Sequence, residues 1–201
     1  MTSVLALSTS QCPQSLNYRG LQLLSATCHF DKVDCLSNYD IPVVNVNGIG
    51  DRIPKVVDDL MQSMYHYDKF IFAIPEFSGM MSSSTKNLLD WMVVASNMNI
   101  SHGKGYPWTD KHIMILTFTP SGSEGGSRHM PQTKEIFKKL GANVVHTEVF
   151  TKCWDTVLPN NESYFEEAGK KINSYISYDA DNTDHFQTAY NNWNKEWIDA
   201  N

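Results

Sequence analysis

The feature that most constrains this fold is a set of short, almost purely apolar runs spaced along the chain. Each is followed by a polar loop and then by a stretch with helical spacing. Val4-Leu5-Ala6-Leu7, Lys69-Phe70-Ile71-Phe72-Ala73-Ile74 and His112-Ile113-Met114-Ile115-Leu116-Thr117-Phe118 lack the in-and-out alternation of a half-exposed strand. Continuous runs of that length suit parallel strands with helices covering both faces. Lys32 to Leu36 and Asn143 to Phe150 read as two further strands.

Between the strands, Ser15 caps a helix from Leu16 to about Cys28, with Gly20 as a weak point inside it. Ile53 to Tyr65 carries Val56, Val57, Leu60, Met61 and Met64 at helical spacing. Further helices are predicted over Thr85–Ser96, Pro131–Leu140 with Gly141 as its stop, Ser163–Tyr178 and Asp184–Ile198. The stretches 75–84, 97–110 and 119–128 read as loops. Strands alternating with helices indicate an α/β domain. The expected architecture is a flavodoxin-like three-layer sandwich, a five-stranded parallel sheet in the order 2-1-3-4-5. Residues 1–178 form this domain, and 179–201 a C-terminal helical extension.

Composition narrows the function class. The net charge of −6, five units of it in residues 151–201, argues against a nucleic-acid partner. No apolar run reaches the roughly 18 residues of a membrane span. The first seven residues lack a basic region, so no signal peptide is expected. Cys12, Cys28, Cys35 and Cys153 form no CxxC and fit a reduced, cytoplasmic thiol set. His102, His112 and His129 have no metal-ligand spacing, and Ser121-Gly122-Ser123 makes no nucleophile elbow. No metal is expected.

In an open parallel sheet, ligands bind beyond the carboxyl ends of the strands. That rule selects the loops at 8–15, 75–84 and 119–128, all rich in Ser, Thr or Gly. The first puts hydroxyls at Ser8, Thr9, Ser10 and Ser15 and an amide at Asn17 around a helix start, where free N–H groups and the helix dipole favour an anion.

The second loop and its helix resemble the NAD(P)H-dependent FMN reductase family. Pro75, Glu76, Gly79, Lys86, Asn87, Asp90 and Trp91 fall in register with the family's P-E-Y-N-G to K-N-A-x-D-W block. Phe77, Ser78 and Thr85 depart from it. In the first loop Ser10, Ser15 and Asn17 match the family's G-S-x-R-x-x-S-x-N, whereas Thr9 stands at its Gly and Cys12 at its Arg. The third loop, with Ser121, Gly122, Gly125 and Gly126, is similar to the family's Gly-rich segment. The resemblance covers roughly residues 2–175.

The resemblance implies FMN as cofactor and NADPH or NADH as co-substrate. It implies cofactor contacts from Ser10, Ser15, Leu16, Asn17, Pro75, Glu76, Phe77, Ser78, Gly79, Ser121 and Gly122. Phe77 would lie against the ring system, and the peptide of Glu76 would matter more than its carboxylate. No side chain is an obligatory acid or base, so none is assigned as catalytic. The expected activity passes a hydride from NAD(P)H to FMN and on to a quinone, flavin, azo compound or metal oxyanion. The alternative is a flavodoxin-type electron carrier. The expected partners are these small molecules, with no nucleic acid and no membrane. Trp91, Met92, Val93 and Val94 make the helix at 85–96 apolar over more than one face, which predicts a second buried surface and a homodimer or homotetramer. The acidic tail, with Trp193 and Trp197, can cap the same surface or wrap a partner subunit.

Overall fold

The computed structural model describes residues 2–45, 53–97 and 105–177. Five strands, β1 (Val4–Ser8), β2 (Lys32–Cys35), β3 (Lys69–Ala73), β6 (His112–Phe118) and β7 (Asn143–Phe150), form one parallel sheet in the order β2-β1-β3-β6-β7. Counting only these five, that is the expected 2-1-3-4-5. The helices are α1 (Leu16–Leu24), α2 (Lys55–Met64), α3 (Ser83–Asn97), α4 (His129–Lys139), the short α5 (Cys153–Thr156) and α6 (Glu162–Ser177).

The central strands divide their side chains with period 2 between two cores. Leu5, Leu7, Phe70, Phe72, Ile113 and Ile115 face α2, α3 and α4. Val4, Ala6, Ile71, Ala73, Met114 and Leu116 face α1 and α6. Both sides of each central strand are therefore apolar, which explains the unbroken runs in the sequence.

Several boundaries differ from expectation. Helix α1 stops at Leu24, four residues early. Ser25 and Thr27 turn their hydroxyls back onto the carbonyls of Gln22 and Leu24, which closes the helix end. Gly20, the expected weak point, is a contact: a Cβ there would lie 2.4 Å from the Phe118 ring, so only glycine lets α1 sit against β6. Helix α3 starts at Ser83, because Ser82 accepts the amide of Thr85 through its hydroxyl and that of Lys86 through its carbonyl. Helix α4 starts at His129, with Pro131 in its first turn, where proline costs no helical hydrogen bond.

The predicted loop at 75–84 contains a small antiparallel hairpin, β4 (Glu76–Phe77) and β5 (Met80–Met81). Its two-residue turn, Ser78 and Gly79, has both φ angles positive (53° and 72°), the arrangement of a tight hairpin turn. The expected helix at 184–198 and the extension at 179–201 lie outside the described residues.

The apolar surplus of α3 is buried within the described chain, so it does not by itself argue for a subunit interface. Leu88, Leu89, Trp91, Met92 and Ala95 are buried, and Val93 and Val94 pack against the same core. Trp91 is 3% exposed, and its indole N–H donates to the Pro42 carbonyl at 2.7 Å. Asn87 holds the same segment from both sides, accepting from the Val44 amide and donating to the Pro42 carbonyl. Lys86 and Asp90 pair with each other one turn apart on the helix.

Candidate functional site

The first loop leaves β1 at Ser8 and enters α1 at Ser15. The Ser15 hydroxyl accepts the Tyr18 amide at 3.2 Å, and the Ser10 hydroxyl accepts the Cys12 amide at 3.1 Å. Each hydroxyl thus uses oxygen lone pairs inside the loop and keeps its O–H for another acceptor. The amides of Leu16 and Asn17 lie in the first turn of α1 and have no carbonyl four residues back within the helix. Cys12 is exposed, and the buried Cys35 at the end of β2 donates its S–H to the Ser10 carbonyl.

Asn17 faces inward. Its carboxamide donates to the Phe118 carbonyl at 3.1 Å and accepts the Phe118 amide at 3.0 Å. It pins the start of α1 to the carboxyl end of β6, the point from which the third loop leaves.

A chain of buried hydroxyls joins the first loop to α3. Thr9 meets Thr85 at 2.7 Å, Thr85 meets Ser82 at 2.8 Å, and Ser84 donates to the Thr9 carbonyl at 2.6 Å. Sequence reasoning missed this chain. Its signal was the run Ser82-Ser83-Ser84-Thr85, which reads as a polar loop until its partner Thr9 is known. The Ser82 amide also donates to the Pro75 carbonyl, closing the hairpin at its base.

The hairpin is tied to the third loop by Glu76, whose carboxylate accepts the Gly126 amide at 3.1 Å. Gly126 has φ 75°, and a Cβ there would come within 2.7 Å of Val149, so the loop turns where no other residue fits. The third loop is held on its far side by the Lys152 amide donating to the Ser121 carbonyl and the Cys153 amide donating to the Thr119 carbonyl.

Between the hairpin and the third loop lies a cavity of about 480 Å³, lined by Glu76, Ser78, Gly79, Thr119, Pro120, Ser121, Glu124, Ser127 and Arg128. Of the expected contact residues, Glu76, Ser78, Gly79 and Ser121 line it. Ser10, Ser15, Leu16 and Asn17 form the neighbouring helix entrance, and Pro75 lies at the base of the hairpin. Gly122 stands on the third loop, with open space where a Cβ would be. Strand alternation sends Glu76 toward the third loop, and Phe77, next to it in β4, is 68% exposed.

Thr119, Glu124, Ser127 and Arg128 were not singled out from sequence. The available signal for Arg128 was its place as the one basic residue in the Gly/Ser loop at 119–128. Behind the third loop, burial pushes the Cys153 thiol up to about 11, so it is not an activated nucleophile.

With this geometry described, the chain can be set beside known proteins. A sequence model of the NADPH-dependent FMN reductase family matches residues 2–155. Over 123 residues the chain is 30% identical to a probable NADPH:quinone oxidoreductase 2 of rice, a match covering 60% of this chain and 55% of that protein. Over 114 residues it is 25% identical to the NAD(P)H-dependent FMN reductase ntnL of a Nectria species, covering 52% and 51%. These matches span about half the length of the two curated relatives. Among solved structures, the NAD(P)H:acceptor oxidoreductase FerB of Paracoccus denitrificans aligns with TM-score 0.64 at 17% identity, over 88% of this chain and 97% of that one. An FMN-dependent NADH-azoreductase of Bacillus anthracis, solved with FMN, aligns with TM-score 0.56 at 10% identity, over 86% and 99%. At these identities the structural likeness is one of fold.

Proposed function

The chain belongs to the NADPH-dependent FMN reductase family, and from that premise we propose that it is an FMN-dependent NAD(P)H oxidoreductase serving a small electron acceptor. The observation that carries this reading is the polar cavity between the hairpin and the third loop, set beside the open N-terminus of α1. The residues present fit FMN at both ends of the cofactor. The α1 entrance offers the O–H groups of Ser10 and Ser15 and the amides of Leu16 and Asn17 to a phosphate. The cavity offers hydroxyls, a glycine turn and charged groups to the polar edge of a flavin, in a volume suited to a ring system.

FMN, when bound, supplies the redox chemistry, as a carrier of two electrons between nicotinamide and acceptor. The protein binds, orients and shields. Asn17 and the Thr9–Thr85 contact hold the phosphate entrance in register with β6 and α3. Glu76 sets the spacing between hairpin and third loop, so its carboxylate acts as a structural tie and not as a proton donor. Cys12 stands where the family carries arginine, so phosphate binding relies on hydroxyls and amides alone.

The acceptor belongs to the class of quinones, flavins, azo compounds and metal oxyanions, a range that a shallow polar site accommodates. Residues 1–178 are the FMN-binding unit. The four free thiols support a reducing, cytoplasmic setting, and no described helix is long and apolar enough to cross a membrane. The exposed apolar side chains of Val43 and Phe77 support assembly as a homodimer or homotetramer.

The test is spectroscopic. The purified protein, supplied with FMN and then freed of excess, should keep a flavin absorbance. That absorbance should bleach with NADPH or NADH under nitrogen and return on adding a quinone. Retained flavin that neither nucleotide bleaches would indicate an electron carrier. A protein that stays colourless after FMN addition would remove the proposal.

A further inference from the structure

The cavity contains a cation that the fold itself does not use. Arg128 lines it as its one basic residue and is exposed, and among the described residues it has neither an ion pair nor a hydrogen bond. Two carboxylates line the same cavity, yet Glu76 is occupied by the Gly126 amide and neither it nor Glu124 pairs with the guanidinium.

Arg128 stands at the start of α4. It occupies the N-cap of α4, makes no capping hydrogen bond, and adds a positive charge to the positive end of the helix dipole. The next residue, His129, is fully buried, and its Nε2 has no hydrogen-bond partner. Among the described residues, the guanidinium on the cavity wall therefore has no anionic partner, and the buried Nε2 of the residue beside it has no hydrogen-bond partner. The stem of Arg128 lies against the hairpin turn, its Cδ 3.4 Å from where a Cβ of Gly79 would be.

We propose that Arg128 is the charge partner of the reduced flavin ring, selectively stabilising the negative charge that the ring acquires on reduction. This rests on the reading of the cavity as the FMN ring site. Two electrons and one proton added to a neutral ring leave one net negative charge, and protein charges placed near the ring tune this balance. The carboxylates of Glu76 and Glu124 act in the opposite direction, which makes a lone cation on the same wall the decisive group. Because Arg128 holds nothing else in place, its replacement leaves the fold intact.

The experiment measures the dissociation constants of oxidised and reduced FMN, with the midpoint potential, for the unaltered protein and for R128Q, R128K and E124Q. In R128Q, reduced FMN should weaken at least tenfold relative to oxidised FMN. For a two-electron couple that ratio equals a midpoint potential lower by about 30 mV. R128K should keep most of the unaltered value, and E124Q should move the potential upward. An unchanged ratio in R128Q, a lysine variant as low as the glutamine variant, or a fall in E124Q would overturn the inference while leaving FMN binding in place. Failure of the unaltered protein to bind FMN would remove the functional reading and this inference together.

Discussion

The two ends of the sheet are built differently. At the amino end, long side chains from the same chain close off the strand termini. Lys69 is buried and donates to the last-turn carbonyls of Tyr175 and Ile176 in α6, at 3.2 and 2.9 Å. The single proton of the Tyr175 hydroxyl is shared between the Phe70 and His112 carbonyls, at 3.1 and 2.9 Å, which bridges β3 and β6. Lys111 reaches the carbonyls of Tyr65 and Tyr67, and Asp31 accepts the Val4 amide. At the carboxyl end, short hydroxyls and main-chain contacts fix the loops while leaving a cavity and an unpaired Arg128. At the amino end these polar groups bond to one another, and at the carboxyl end a polar cavity stays open between the loops. The difference teaches that polarity alone does not mark a site. Both ends are polar, but among the described residues the cavity and the unpaired Arg128 lie at the carboxyl end.

The largest expected effect lies at the closed end. Tyr175→Ala removes a fully buried ring and its hydrogen bond to the strand carbonyls, and should cost about 3–5 kcal/mol of stability, read by denaturant unfolding. FMN affinity of the folded fraction should change little. A loss below roughly 1 kcal/mol would break the contrast at this end. Asn17→Ala crosses the comparison, because it sits at the ligand end but works inward. It should cost roughly 1–3 kcal/mol by leaving the buried Phe118 amide and carbonyl unpaired, and should also weaken FMN through a displaced α1 entrance. Weaker FMN with unchanged stability would make Asn17 a ligand group instead of a clamp.

Cys12→Arg gives the first loop the fixed charge it lacks and should tighten FMN by about 1 kcal/mol, with little change in unfolding. Looser binding would mean that position 12 does not face the phosphate. The smallest effect is a pH dependence. Burial holds the His129 imidazole below its ordinary 6.5, against the opposing pull of Glu76. The unfolded chain takes up this proton more readily than the folded one. The stabilisation from keeping the ring neutral is thus full above 6.5 and declines as the pH falls below it. His129→Gln should flatten that part of the acid-side fall in thermal midpoint, and an unaltered slope would exclude His129 as its source.

The sheet was legible because burial on both faces leaves continuous apolar runs, and short loops restrict the strand order. The Ser15 cap was legible because its partner, Tyr18, is three residues away. What escaped depends on distant partners. The side chain of Asn17 has its partner in Phe118, 101 positions later, which no local pattern announces. Gly20 reads as a flaw until the Phe118 ring lies against it. Trp91 reads as core or subunit contact, and its partner, the Pro42 carbonyl 49 positions earlier, is not legible from the helix itself. The hairpin was missed because two-residue strands carry no periodic pattern, and Arg128 because a single charge in a loop has no spacing to read.

If the α1 entrance receives the FMN phosphate, Ser15→Asp separates cofactor binding from stability. Aspartate caps a helix as well as serine does, so α1 and the unfolding midpoint should be preserved. The new carboxylate would stand at the phosphate entrance and repel the cofactor. FMN titration of the variant beside the unaltered protein, with unfolding curves for both, is the measurement. The account predicts matching unfolding curves with FMN retention abolished in the variant. Equal FMN affinity in the two proteins would contradict it.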